Sequence, residues 1–276
     1  MGFNSQCKVH CGCKFRIRSG AQLYSDALEK LGYLSTGISN LDELTNGGLM
    51  FGEILEIVGF PGTAKTQTAL RLAVCAAESK GNVVIVSSTC GMTATRLAQI
   101  AVQCQLSNLD SVMERIKCAV VSDAAEIISL VKSLYQNHIS LKTRLLIIDS
   151  VGTLLSPLVS GLSHNGSSDV ARLQRLLYAL ASDKHIAVVI VNHMVRVRRD
   201  ESKPALGQWW ASFAHSRVVF SKAVSDPETL AAGSIDGRPM IIRATLVKSN
   251  SEVTPKSTLI ELSAEGVIRN HSTATI

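Results

Sequence analysis

The chain has 276 residues, 46% of them hydrophobic, enough apolar material for one large α/β domain and too much for a disordered or collagen-like polymer. Twenty-eight Lys and Arg against 22 Asp and Glu leave a formal charge of +6, which permits a polyanionic partner without specifying nucleic acid. No apolar run approaches the roughly 18 residues of a membrane span and the opening MGFNSQCKVHCGCKFRIR lacks a signal-peptide core, so the expectation is an intracellular protein with no membrane partner.

Residues 1–20 are basic and lack the periodicity of a core element. Cys7, Cys11 and Cys13 cluster around His10, but zinc takes four tetrahedral ligands, commonly as C-x2-C pairs, and this spacing does not match. A reduced tail is the expectation. Cys75, Cys90, Cys104 and Cys118 fall in apolar segments, where a small buried thiol is the ordinary reading. Residues 24–31 can form a short helix. In LSTGISNLDELTNGGL (34–49), Ser39 or Asn40 can cap a helical turn that Gly47-Gly48 ends.

The rest is organised around EILEIVGFPGTAKTQT, residues 53–68. Ile54, Leu55, Ile57 and Val58 predict a buried strand that breaks at Gly59 into a Gly/Pro turn, after which Lys65-Thr66 open an Ala-rich helix. That order is the phosphate-binding loop G-x-x-x-x-G-K-[ST], in which main-chain N–H groups cradle phosphate, the lysine reaches its outer oxygens and the hydroxyl ligates Mg2+. Gly59, Lys65 and Thr66 match; Phe60, Pro61, Gly62 and Thr63 fill the loop and Gln67 follows it. Ala64 stands where glycine is expected. If that position takes positive φ, alanine costs roughly 1–2 kcal/mol, equivalent to about tenfold in affinity. A Gly/Pro turn with no nucleotide role would look similar, and what favours the phosphate reading is the Lys-Thr spacing together with Asp149, below.

NVVIVSS predicts a second buried strand, TATRLAQIAVQC (93–104) a helix, IKCAVV (116–121) a third strand and DAAEIISLVKSLYQNH an amphipathic helix. LLIID (145–149) is a fourth strand ended by an acid. After a phosphate loop, such an acid holds Mg2+ through its water shell, so Asp149 is the partner Thr66 requires; alone, it would read as a turn former or helix cap. SPLVSGLSHNGSS (156–168) reads as a mobile loop, DVARLQRLLYALASDKH as a helix and IAVVIVNHM as a strand. Arg196, Arg198, Arg199 and Lys203 then crowd the carboxyl end of that strand, where open α/β sheets bind ligands. They are phosphate contacts or a solvated loop balanced by Asp200 and Glu201; charge alone does not choose. RVVF (217–220), MIIRATLVK (240–248) and STLIEL (257–262) predict strands that extend the sheet in antiparallel fashion, with Asp236-Gly237 as a turn.

LSTGISNLDELTNGGL, GFPGTAKTQ, LLIIDS, VVIVNH and KPALGQWW together resemble the RecA-type strand-exchange recombinases, and within them the eukaryotic recombinase paralogues of D-type, as do SGAQLY and DGRPMIIRATLVKS. The similarity runs over residues 19–262. It implies an α/β fold with a RecA-like P-loop ATPase core, a mostly parallel sheet flanked by helices, and antiparallel C-terminal strands. The chain divides accordingly into an arm or linker (1–20), the core (21–265) and a tail (266–276), the family's preceding helical domain being missing or reduced to the arm. Phe15, Ile17 and Ala21 are the residues an inserted linker would offer a neighbouring subunit.

Hydrolysing members of the family carry a glutamate after the second strand, and its place here falls on Thr89, which cannot take a proton as a carboxylate does. His193 stands where the family has a glutamine that senses γ-phosphate; a neutral histidine can hydrogen-bond phosphate, and a satisfied core histidine is the other reading. The resemblance thus implies a nuclear paralogue acting in homologous recombination. ATP and Mg2+ are its cofactors, and its hydrolysis is weak or absent. Its implied partners are single-stranded DNA, other paralogue subunits and the recombinase filament, with Arg196, Arg198, Arg199 and Lys203 on the DNA backbone. An active DNA-dependent ATPase and an interaction subunit with a vestigial loop are the alternatives.

Overall fold

Apolar runs with no polar alternation predict strands covered on both faces, and that is how the sheet is built. The computed structural model describes residues 19–22, 32–89, 94–106, 108–136, 142–159, 166–198, 201–223, 239–263, 266 and 268–270. Two compact units are separable, Met1–Gly32 and Tyr33–Ile276. In the first, Gly20, Ala21 and Gln22 are helical and exposed, while Phe15, Ile17 and the Cys7–Cys13 cluster lie outside the described residues.

The second unit begins with β1 (Tyr33–Leu34), α1 (Ser39–Leu44) and β2 (Leu49–Met50), the two strands pairing antiparallel. There follow β3 (Ile54–Gly59), α2 (Lys65–Glu78), β4 (Asn82–Ser87), α3 (Ala94–Gln103), α4 (Leu109–Arg115), β5 (Ile116–Val120), α5 (Ala124–Gln136) and β6 (Thr143–Asp149). The remainder is α6 (Val151–Val159), α7 (Gly166–Lys184), β7 (Ala187–Arg198), β8 (Glu201–Pro204), α8 (Gly207–Ala211), β9 (Ser216–Lys222), β10 (Met240–Lys248), β11 (Lys256–Leu262) and β12 (Ile268–Asn270). The sheet order is β12-β11-β10-β9-β3-β7-β6-β4-β5, with β8 on the far part of β7.

Alternate residues of the central strands feed opposite cores. Leu145 and Ile147 of β6 pack with α2 through Leu70, Leu72 and Ala73, whereas Leu146 and Ile148 pack with α5 and α7 through Ile127, Leu173 and Leu177. Each such buried aliphatic side chain contributes about 1.5–3 kcal/mol, so the strand ends that carry the candidate site are rigidly held.

Several expectations are corrected. The strand at 216–222 is parallel to β3, and antiparallel pairing begins only at β10. The N-cap of α1 is Ile38, with no side-chain cap; Asn40 instead donates Nδ2–H to the Leu259 carbonyl at 2.7 Å. The stretch read as a loop from Ser156 continues α6 through Pro157 to Val159, because Val151, Leu154 and Leu155 anchor that helix in the core. Cys118 is exposed on edge strand β5, and Cys75 and Cys104 are half-buried. Residues 24–31, Cys90 and Asp236-Gly237 lie outside the described residues.

Candidate nucleotide site and basic hairpin

β3 ends at Gly59 between two neighbours, β7 and β9, and no side chain fits there. A Cβ on Gly59 would lie 2.5 Å from Thr63 Oγ1 and 2.6 Å from the Phe220 carbonyl oxygen. The loop then folds on itself, with Thr63 Oγ1 and Lys65 Nζ each donating to the Phe60 carbonyl at 2.8 Å. Gly62 and Ala64 both have left-handed backbones, φ +73° and +64°. Ala64 therefore occupies the strained conformation that its glycine-like position demands, and its residue class costs it about 1–2 kcal/mol there. Lys65 opens α2, whose first N–H groups have no intrahelical acceptor and face back toward the loop.

Thr66, in the first turn of α2, donates its hydroxyl to Asp149 Oδ2 at 2.6 Å. Burial pushes the Asp149 carboxyl above its ordinary range, while the Thr66 bond and the Lys65 charge pull it back down. Burial lowers Lys65 in turn, and Asp149 opposes that. An ammonium, a hydroxyl and a carboxylate thus converge on main-chain donors at the end of a parallel sheet. The oxygens are hard ligands of the kind Mg2+ takes, and the cation and N–H groups are of the kind phosphate takes, so the donor set fits a Mg-nucleotide.

Thr89 is exposed just past β4, its N–H donating to Ser87 Oγ at 3.2 Å and its carbonyl accepting from that same hydroxyl at 2.7 Å. Ser88 Oγ accepts from the Ser150 N–H at 3.1 Å, tying this strand end to Asp149. His193 pairs with Gly59 across β3 and β7 and is half-buried. Burial lowers its pKa, and Lys65 lowers it further, both favouring the uncharged ring.

The basic cluster is a hairpin. β7 continues past His193 to Arg198, and β8 pairs with it as Val195↔Lys203, Arg196↔Ser202 and Arg198↔Glu201. Arg196 lies over the Phe60 ring, 5.8 Å from its centroid, which brings the hairpin to the phosphate loop. Lys203 is ion-paired with Glu201 at 2.8 Å with both side chains about half exposed, an arrangement that contributes little to stability. Arg199 lies outside the described residues, and Gln67 Oε1 accepts from Arg96 Nε at 3.0 Å and Nη2 at 2.8 Å.

Residues that sequence reasoning missed support this site from behind. Gly152, on α6, has no room for a Cβ, which would meet His193 Nδ1 and Cε1 at 2.4 Å. Glu56, fully buried in β3, accepts from Asn192 Nδ2 (2.8 Å), Trp210 Nε1 (2.9 Å) and Arg217 Nε (2.5 Å). Its signal in the sequence was a lone acid inside an apolar strand.

A parallel sheet with a strand, phosphate loop and helix, an acid ending the strand next but one, and antiparallel strands at one edge is the RecA-like P-loop architecture. The sequence model of the family described as Rad51 matches residues 28–229, and the chain belongs to that family. It is 32% identical over 218 residues to DNA repair protein RAD51 homolog 4 of Bos taurus, covering 75% of this chain and 67% of that one. Against DNA repair protein RAD51 homolog 4 of Mus musculus, identity is 35% over 212 residues, covering 73% and 64%. The chain thus spans about two thirds of the length of these mammalian relatives. The crystal structure of the RadB recombinase has the same fold, with a TM-score of 0.71 at 22% identity over 87% of this chain and all of that one.

Proposed function

We propose that the protein is a nuclear recombinase paralogue that acts in homologous recombination repair. It binds Mg-ATP, hydrolyses it weakly or not at all, and assists the recombinase filament on single-stranded DNA within a complex of paralogue subunits. The observation that carries this reading is the Thr66–Asp149 contact beside Lys65, combined with a threonine where a water-orienting carboxylate would stand. Main-chain N–H groups of 59–66, Lys65 and the neutral His193 would hold the phosphates, and Thr66 and Asp149 the metal. Bound Mg2+ would neutralise phosphate charge. Without a carboxylate at Thr89, general-base assistance, typically worth 10²–10⁴-fold, is missing. Nucleotide binding then serves to bias assembly rather than to drive turnover.

Arg196, Arg198, Arg199 and Lys203 are the proposed contacts to the DNA backbone, and Phe15, Ile17 and Ala21 the proposed contacts to a neighbouring subunit. Repair is the role carried in the names of the mammalian relatives. Equilibrium dialysis with labelled ATP, followed by phosphate release with and without single-stranded DNA, tests the reading. Saturable binding lost in Lys65→Ala, with little release, is the expected result. No binding at millimolar ATP would leave the loop as scaffold, and brisk DNA-stimulated release would make the protein an active ATPase.

A further inference from the structure

The parallel strands have two ends, and the candidate nucleotide site and the basic hairpin occupy the carboxyl one. At the amino end, cations recur strand by strand: Lys117 near the start of β5, Lys80 ahead of β4, Lys142 and Arg144 at the start of β6, and Lys184 ahead of β7. The sheet order sets β5, β4, β6, β7 and β3 side by side. At about 4.8 Å per strand the row spans about 19 Å, the length of about six extended residues.

The centre of the row is held in place by packing. A Cβ on Gly81 would lie 2.8 Å from Arg144 Cγ, so the arginine stem crosses the turn that opens β4 at the one residue type that admits it. The guanidinium then lies over the Phe51 ring, 5.2 Å from its centroid, and a Cβ on the next residue, Gly52, would lie 4.0 Å from His185 Nδ1. The Asn82 N–H donates to the Lys142 carbonyl at 2.8 Å, which brings that residue beside the same turn. Lys80, Lys142 and Arg144 are exposed, and among the described residues no carboxylate pairs with Lys80 or Arg144. Cations at helix C-termini are ordinary, because the macrodipole favours them, and Arg115 and Lys184 end α4 and α7. Lys142 and Arg144 stand at a strand start, where that explanation does not reach.

Two kinds of polyanion would meet this face differently. Glu78, Glu114 and Asp183 lie within two positions of Lys80, Arg115 and Lys184. A nucleic acid carries charge at every phosphate and would face those acids as well as the cations. A peptide carries carboxylates only where its sequence puts them. We infer that the amino end of the parallel sheet, centred on Arg144 over Phe51 with Lys80 and Lys142 beside it, is a docking surface for an extended acidic segment of a partner protein. The inference goes beyond the proposed function and does not rest on it. Arg144 is the anchor: a guanidinium stacked on a ring is already ordered, so less freedom is lost when it takes a carboxylate in the two-pronged geometry arginine favours.

The test uses the full chain and a labelled peptide of alternating glutamate and serine, about ten residues long, read by anisotropy, with the lysine-serine counterpart as reference. The glutamate peptide should bind saturably and lose affinity at least about fivefold between about 50 and about 200 mM salt. Arg144→Glu should weaken it at least about tenfold, while Arg243→Glu, the same change on an exposed position of β10, should stay within about twofold. If Arg144→Glu does not melt cooperatively, Lys80→Glu carries the same comparison. Unlabelled oligothymidine should leave the peptide bound. Displacement by oligothymidine would give the peptide's site to nucleic acid and overturn the inference. So would equal binding of the lysine peptide, equal effects of the two charge reversals, or no saturable binding at low salt.

Discussion

Thr66 and Asp149, 83 positions apart in the chain, meet in a 2.6 Å hydrogen bond that spans the carboxyl end of the sheet across β7. The hydroxyl belongs to the first turn of α2 and the carboxylate to the end of β6, so groups from two elements of the core meet at one point. The fold itself brings these groups together, and the consequences can be measured residue by residue.

Ala64 sits at φ +64° and is 8% exposed. Glycine relieves the left-handed penalty of about 1–2 kcal/mol. Ala64→Gly should raise the melting temperature by about 2–4 °C and tighten nucleotide binding by up to about tenfold. A scanning melt and a calorimetric titration check both, and weaker binding in the glycine variant would argue against strain at this loop.

Under the proposed function, Thr89 stands where a hydrolytic base is missing. Thr89→Glu should raise phosphate release by about 10²-fold or more, with Thr89→Gln, which cannot accept the proton, remaining at the wild-type level. Equal rates for the two variants would mean that the strand end does not face the reacting water.

Gly152 leaves room for His193. A methyl group there would lie 2.4 Å from two ring atoms and 2.6 Å from Asn192 Oδ1. Gly152→Ala should destabilise by about 1–3 kcal/mol through overpacking and lower nucleotide affinity by displacing the ring. Denaturant unfolding paired with nucleotide titration separates the two effects.

Arg196 and Lys203 differ in their freedom to meet phosphate. Arg196→Ala should reduce the slope of log affinity against log salt for single-stranded DNA by about one phosphate contact. Lys203→Ala should reduce it less, since Glu201 holds that ammonium at 2.8 Å. Titrations at several salt concentrations decide, and unchanged slopes for both would remove the hairpin from the DNA interface.

His215 provides a pH signature. Its Nδ1 accepts from the Ile54 N–H at 3.0 Å, and burial, reinforced by Lys248, holds its pKa below the ordinary 6.5. The unfolded chain therefore binds more protons than the folded one near and below that value. The stabilisation is complete above pH 6.5 and is lost as pH falls through the lower folded value. His215→Gln keeps an acceptor and removes the titration, so its stability should decline less steeply than wild type between about pH 7 and 5. His193 titrates in the same direction, which makes the difference between variant and wild type the quantity to read.

The apolar runs of β3, β4, β6 and β7 were legible because strands buried on both faces leave no room for polar alternation. The turn after β3 and the acid that ends β6 were legible as structure, because a Gly/Pro break and a strand-end carboxylate mark where the strands stop. The hairpin was not. Charge in VRVRR hid the alternating Val195 and Val197, which are 39% and 52% exposed and make a strand without making a core. Helix α4 was missed because seven residues carry too little periodicity, although Asn108 capping the Ser111 N–H at 3.0 Å was its mark. Glu56 was passed over because a charge in an apolar run reads as an interruption until its three donors are seen to come from elsewhere in the chain.

β7 passes without interruption from Ala187 in the middle of the sheet to Arg198 at the end of its hairpin arm, 12 residues in all. Its interior part and its arm share one reading frame as far as Arg196, beyond which the pairing with β8 shifts register. Adding or deleting a single residue ahead of Asn192 would turn the following side chains over, presenting an aliphatic group to Glu56 and moving Arg196 to the other face of the strand. Length changes between homologous chains should for that reason collect beyond the arm, in the connection to β8, and leave the strand untouched.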